Sequence, residues 1–123
     1  MNLIDQLGII PIKFEETKYE VHVELNDYHA QPEGFLNGSV SLALAEISSG
    51  MASNNLLNDG YFAFGQSISA EHLRAMKSVG LLIVKGELLH RGRTSHVWEV
   101  KIYDDRERLI SHATVTNHIQ KLN

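Results

Sequence analysis

The sequence predicts one α+β domain in which a single long helix packs against an antiparallel sheet. Three observations carry that expectation. Between residues 37 and 57, Val40, Leu44, Ile47 and Met51 recur at i, i+4, i+7 and i+11, the spacing of one helix face. After Gly60 the chain alternates with a period of two, or runs apolar between turn signals, as strands do. Strand patterning before the helix is confined to Tyr19–Leu25. Strands clustered after one helix give an α+β layout, here a sheet of four or five strands covering the helix.

The elements follow in order. Leu3, Ile4 and Leu7 suit a short amphipathic helix that ends near Gly8, with Pro11 marking the exit. In Tyr19–Leu25, Tyr19, Val21, Val23 and Leu25 face one way and Glu20, His22 and Glu24 the other, a half-buried strand. Asn26–Gly34 is rich in turn residues. The main helix runs from Asn37 to about Leu57 and stops at Asn58-Asp59-Gly60. Leu42, Ala43 and Ala45 make it apolar on most other sides too, the signature of a buried helix. Four strands are predicted beyond it: Tyr61–Ala70, Leu81–His90, His96–Tyr103 and Leu109–Ile119. Gly86 inside the second marks a bulge or a close approach. The charged run Asp104–Arg108 joins the last two as a hairpin. An open sheet with an edge strand and a bare outer face invites self-association, so a homo-oligomer is expected.

Composition excludes several classes. At 123 residues the chain reads as one domain spanning 1–123, long enough to bury about two-thirds of its unfolded surface without disulfide or metal. Fifteen acidic against eleven basic side chains, a net charge of −4, leave no basic stripe for nucleic acid. The absence of cysteine removes a disulfide framework and a cysteine nucleophile, and suits a cytoplasmic location. No stretch of about 18 apolar residues is present to span a membrane, and Met1–Ile10 lacks the pattern of a signal peptide. Seven histidines show no ligand spacing beside a carboxylate cluster, so no metal is expected.

The chemistry concentrates in residues 31–46. Gln31-Pro32-Glu33-Gly34 is a turn, and Asn37-Gly38-Ser39 starts the helix with small residues. Asn37 is among the best N-caps, and a glycine at a helix start admits close approach to free backbone N–H groups. Glu46 then stands at the centre of a stripe of small or polar residues, Ser39, Ala43, Ser49, Gly50 and Ser53. A carboxylate in an apolar helix is costly unless it is paired or opens on a cleft, and such positions cluster at chemical sites.

These residues resemble a family pattern. Gln31-Pro32, Gly34, Asn37-Gly38-Ser39 and Leu44-Ala45-Glu46 stand in the order Gln-Pro-x-Gly, His-Gly-Gly, Leu-x-Glu of hotdog-fold acyl-CoA thioesterases. The branch is the PaaI-like one, with one type of 4-hydroxybenzoyl-CoA thioesterase and the enterobactin-pathway proofreading thioesterase. Glu71-His72-Leu73-Arg74, Leu89-His90-Arg91-Gly92-Arg93-Thr94 and Val97-Trp98-Glu99-Val100 extend the likeness over nearly the whole chain. The resemblance implies hydrolysis of an acyl-CoA or acyl-carrier-protein thioester. Glu46 would be nucleophile or general base, the Gly38 N–H would polarise the thioester carbonyl, and Gln31 or Asn37 would orient it. His72 would line the acyl site. No metal or redox cofactor is implied, and coenzyme A enters as part of the substrate. The family's shared site implies a homodimer as the minimal unit, with a homotetramer as the larger assembly.

Spacing agrees with a shared site. Glu46 lies nine positions after Asn37, about 13 Å along a helix. One chain therefore cannot easily bring both to one substrate atom, whereas an antiparallel partner helix can. Other expectations are looser. Gly50, Met51, Gly65, Gln66 and Ser67 are candidates to line the acyl channel, and Arg91, Arg93 and Lys77 to hold the coenzyme A phosphates. Phe35, Tyr61, Phe62 and Phe64 are either pocket or core. Three positions depart from the family: Asn37 replaces histidine, Ser39 replaces the second glycine, and Gly50 replaces serine. An acyl-thioester hydratase or dehydratase, and a non-catalytic acyl-CoA binder, are the alternatives on the same fold.

Overall fold

The computed structural model describes residues 1–122. Its elements are α1 (Leu3–Leu7), β1 (Ile9–Phe14), β2 (Lys18–Leu25), a short 3-10 turn (Asp27–His29), α2 (Gly38–Leu56), β3 (Tyr61–His72), β4 (Gly80–Arg91), β5 (Ser95–Tyr103) and β6 (Leu109–Lys121). The strands form one antiparallel sheet in the order β1-β2-β4-β5-β6-β3. The α+β expectation holds, with six strands in place of four or five. The added strand is β1, which sequence patterning left as an exit. Pro11 can sit there because β1 is an edge strand, and the register slips between Pro11 and Lys13.

Short-range signals fix the ends of the helices. The Asn2 side chain accepts from Asp5 N–H at 2.9 Å and Gly8 closes α1 in the left-handed region at φ 72°. Asn37 caps α2, its Oδ1 accepting from Ser39 N–H at 3.0 Å.

The inner face of the sheet carries the large side chains. Tyr19, Val21, Val23, Leu82, Val84, Trp98, Val100, Ile102 and Val115 are all buried against α2. The helix answers with small ones. Its buried residues are Ser41, Leu44, Ala45, Ser48, Ser49, Ala52 and Ser53. The predicted apolar face is thus corrected: of Val40, Leu44, Ile47 and Met51, only Leu44 is fully buried. Bulky sheet residues leave room for serines, provided each buried hydroxyl is paired. Ser48 Oγ meets Tyr19 Oη at 2.6 Å, and Ser53 Oγ meets Trp98 Nε1 and His96 Nδ1, both at 2.8 Å, and Asn117 Nδ2 at 3.0 Å. Nor is the helix buried on all sides. Leu42 is 36% exposed and Glu46 is exposed, so one flank of α2 lies open beside the edge strand β3.

Gly86 is the predicted close approach. A Cβ there would fall 1.9 Å from Tyr19 Cε2, on a ring packed between Trp98 and Phe14. The register shifts lie elsewhere, between Pro11 and Lys13, Gly65 and Ser67, Leu88 and His90, and Ile102 and Tyr103.

Candidate functional site

The open flank brings four of the predicted residues into two contacts. Strand β3 runs beside α2, with Asn54 pinning the two together. Its Oδ1 accepts from Ala63 N–H at 2.8 Å, and its Nδ2 donates to the Ala63 carbonyl at 3.0 Å. One residue beyond the intervening Phe64, Gly65 lies against the Glu46 side chain. Further along β3 the His72 ring sits over Gly38, at the N-terminus of α2. Glu46, Gly65, Gly38 and His72 therefore lie along one seam between α2 and β3.

Each glycine admits a specific neighbour. A Cβ on Gly38 would fall 2.8 Å from His72 Cδ2 and 2.9 Å from Nε2. A Cβ on Gly65 would fall 2.7 Å from Glu46 Cγ. Gly50 has open space around it, so nothing in the protomer's packing demands glycine there. Met51 is half-buried on the adjoining turn, and Gln66 and Ser67 are exposed at the β3 bulge.

The loop before α2 is built by backbone pairing. Gln31 Oε1 accepts from the N–H groups of Glu33 and Phe35. Asn37 Oδ1 accepts from both the N–H and the hydroxyl of Ser39, at 3.0 and 2.7 Å. In both side chains the amide oxygen is occupied by donors, which fixes the orientation of the amide and leaves its nitrogen as the donor. Both residues thus serve the local fold and still present N–H groups. His72 Nδ1 pairs with Ser111 Oγ at 2.9 Å, which orients its ring.

Arg91 and Arg93 are not brought to this seam within one protomer. Arg91 donates to the Leu56 carbonyl at 3.3 Å and faces Glu16 at 3.5 Å, which places it at the C-terminal end of α2. Leu56 is ten residues past Glu46, about 15 Å along the helix. Arg93 lines a cleft of 290 Å³ there with Leu57, Asn58, Tyr61 and His96. Lys77 lies over the Phe35 ring at 4.2 Å, near the loop that precedes α2. Tyr61, Phe62 and Phe64 are surface residues of the edge strand, 37–44% exposed, and not core. A 310 Å³ cleft on the outer face of the sheet, with Lys18, Glu20, Lys85, Glu87 and Lys101, is remote from Glu46 and charged in both signs.

Sequence reasoning passed over His29, Asn54 and Ser111, and placed Ser53 only in the stripe of small residues around Glu46. His29 is buried; its Nδ1 accepts from Asn26 N–H at 3.1 Å and its Nε2 pairs with the Leu7 carbonyl at 2.9 Å, so Nε2 carries the proton. Its own carbonyl receives Asn37 N–H at 2.9 Å, tying the start of α2 to α1. No pattern along the chain signals these roles, because each partner is remote in sequence or set by the fold.

Residues 33–111 match the model of the thioesterase superfamily. The chain belongs to that superfamily. It is 34% identical over 121 residues to the 1,4-dihydroxy-2-naphthoyl-CoA hydrolase of Listeria monocytogenes, covering 98% of each chain. It is 36% identical to the proofreading thioesterase EntH of Cronobacter sakazakii, over 86% of this chain and 77% of that one. Among solved structures, yhdA of Lactococcus lactis superposes with a TM-score of 0.95 at 50% identity, covering 98% of this chain and 99% of that one. The long helix on a six-stranded antiparallel sheet is the hotdog fold. This thioesterase is an enzyme whose chemistry is thioester hydrolysis. Among the described residues, none of its helices is long and apolar enough to cross a membrane.

Proposed function

We propose that this thioesterase hydrolyses an acyl-CoA ester in the cytoplasm, at two equivalent sites shared between the protomers of a homodimer. The observation that carries the reading is the exposed seam between α2 and the edge strand β3. It holds an exposed carboxylate midway along, and a helix N-terminus under His72 at its end. Gly38 precedes Glu46 by eight residues, about 12 Å along the helix, so one seam is two half-sites. A second protomer with its α2 antiparallel to the first brings its helix N-terminus to this Glu46. The unpaired edge of β3, with Phe62, Phe64 and Leu42 exposed beside it, is the surface that would meet it. Two such dimers would assemble into a homotetramer.

The chemistry then needs few groups. Glu46 takes a proton from water as the oxygen attacks the thioester carbonyl carbon. Negative charge builds on the carbonyl oxygen, where the Gly38 N–H of the second protomer and the helix dipole stabilise it. The amide nitrogens of Asn37 and Gln31 would donate to the same carbonyl. Collapse of the tetrahedral species breaks the carbon–sulfur bond and expels the thiolate, which leaves readily without strong acid assistance. Arg93, beside its cleft at the C-terminal end of an antiparallel α2, is the guanidinium we assign to the coenzyme A phosphates.

The test is a thiol-release assay against aryl-, short- and long-chain acyl-CoA esters. Glu46→Gln keeps the size of the side chain and removes its basicity. It should lower kcat by about 1,000-fold, within the range of a lost general base. Undiminished turnover by that variant refutes the role given to Glu46.

A further inference from the structure

Gly65 is a glycine for a reason that lies in one side chain. Its backbone does not require it, since the glycines with positive φ are Gly8, Gly34, Gly60 and Gly80. Any residue can adopt its conformation. What forbids a side chain is Glu46: a Cβ on Gly65 would fall 2.7 Å from Glu46 Cγ and 2.8 Å from both Cδ and Oε2. The three atoms nearest to that Cβ all belong to Glu46. The carboxylate arm therefore rests on the bare Cα of β3.

Two further features hold that floor in place. The Asn54 side chain bonds both the N–H and the carbonyl of Ala63, which fixes the separation of strand and helix two residues before Gly65. The register then slips between Gly65, opposite Asn117, and Ser67, opposite Thr116, so Gln66 is the extra residue of a bulge. Bulges turn a strand locally and are frequent beside active sites. Here the turn starts at the residue that carries Glu46.

We infer that Gly65 is a positioning residue for hydrolysis, its missing side chain setting where the Glu46 carboxylate lies. The inference rests on the reading of Glu46 as the base. A methyl group at position 65 pushes the carboxylate off the strand toward solvent. Because Glu46 is exposed, rotation about its own side-chain torsions can carry it toward solvent. Gly65→Ala thus separates rate from fold. Gly86→Ala differs, because there the neighbour is a locked, buried ring.

Four proteins test it: wild type, Gly65→Ala, Glu46→Ala, and the double variant. Gly65→Ala should lower kcat by about 100-fold, the scale of a misplacement of about 1 Å, with KM held within about threefold. In the Glu46→Ala background the three atoms nearest to the new methyl are gone. There Gly65→Ala should leave Tm unchanged, and any loss of Tm or of folding in the single variant should be restored. Retention of kcat by Gly65→Ala overturns the proposal. So does an equal loss of rate or Tm in both backgrounds, which would place the cause in the backbone. Wild-type turnover by Glu46→Ala alone overturns the reading of Glu46 and this proposal with it, before any glycine is changed.

Discussion

Ser53 is the polar centre of the interior, and removing its hydroxyl should cost more than any other single buried oxygen in α2. Ser53 is fully buried. Its Oγ meets the Trp98 indole N–H, His96 Nδ1 and the Asn117 amide nitrogen, at 2.8, 2.8 and 3.0 Å. Trp98 and Asn117 donate, which fills both lone pairs, so the hydroxyl proton goes to His96 Nδ1. Ser53→Ala therefore strands three buried groups at once. Asn117 fares worst, because its Oδ1 already lacks a partner and its amide would lose the remaining bond. At about 1–3 kcal/mol per stranded group, partly relieved by relaxation, the loss should be about 3–5 kcal/mol. That is a large share of the roughly 5–15 kcal/mol that holds a domain together. The assay is urea unfolding followed by Trp98 fluorescence, with Trp98 the sole tryptophan. Ser39→Ala, at an exposed hydroxyl of the same helix, is the control. A loss below about 1 kcal/mol would refute the reasoning, since it would mean that the hub is not satisfied through Ser53. The same bonds hold the flank of α2 on which Glu46 lies two turns earlier, so any folded Ser53→Ala protein should also lose kcat.

Two predictions complete the set. Gly86→Ala drives a methyl to 1.9 Å from a fully buried tyrosine ring and should cost about 3 kcal/mol, read as a lower urea midpoint; an unchanged midpoint would contradict the packing at Tyr19. His96 should make the protein less stable in mild acid: burial first, then Arg91 and His90, hold its pKa below the ordinary histidine value, so the unfolded chain takes up the proton first and stability falls as pH drops below about 6.5. His96→Gln should flatten that part of the pH–stability curve, and an unaltered slope would refute the assignment.

Parts of the fold were legible because their causes are local. Alternation in Tyr19–Leu25 and His96–Tyr103 reports burial on one sheet face, and both sets of inward residues are buried. Asn37 and Asn58-Asp59-Gly60 bracket α2 through capping and turn chemistry that depend on near neighbours. Strand β1 was not legible, because Pro11 breaks its pattern and only pairing with β2 makes it a strand. The inward face of α2 was misjudged for a related reason. Apolar periodicity favours Val40, Ile47 and Met51, but Tyr19, Trp98 and their neighbours fill the volume and their polar atoms select serines.

By itself the sequence determined the α+β class, the limits of the long helix and a carboxylate at an anomalous place in it. It also suggested that Glu46 and Gly38 lie too far apart to meet within one chain, since helical rise is a local constant. Only the tertiary structure decided which flank of α2 stays open, that β3 is the edge beside it, and what each glycine is for. A glycine needed for positive φ, as at Gly60, and one needed for a neighbour's side chain, as at Gly65, look alike in a sequence. The first is a property of one residue, and the second exists only when two distant segments meet.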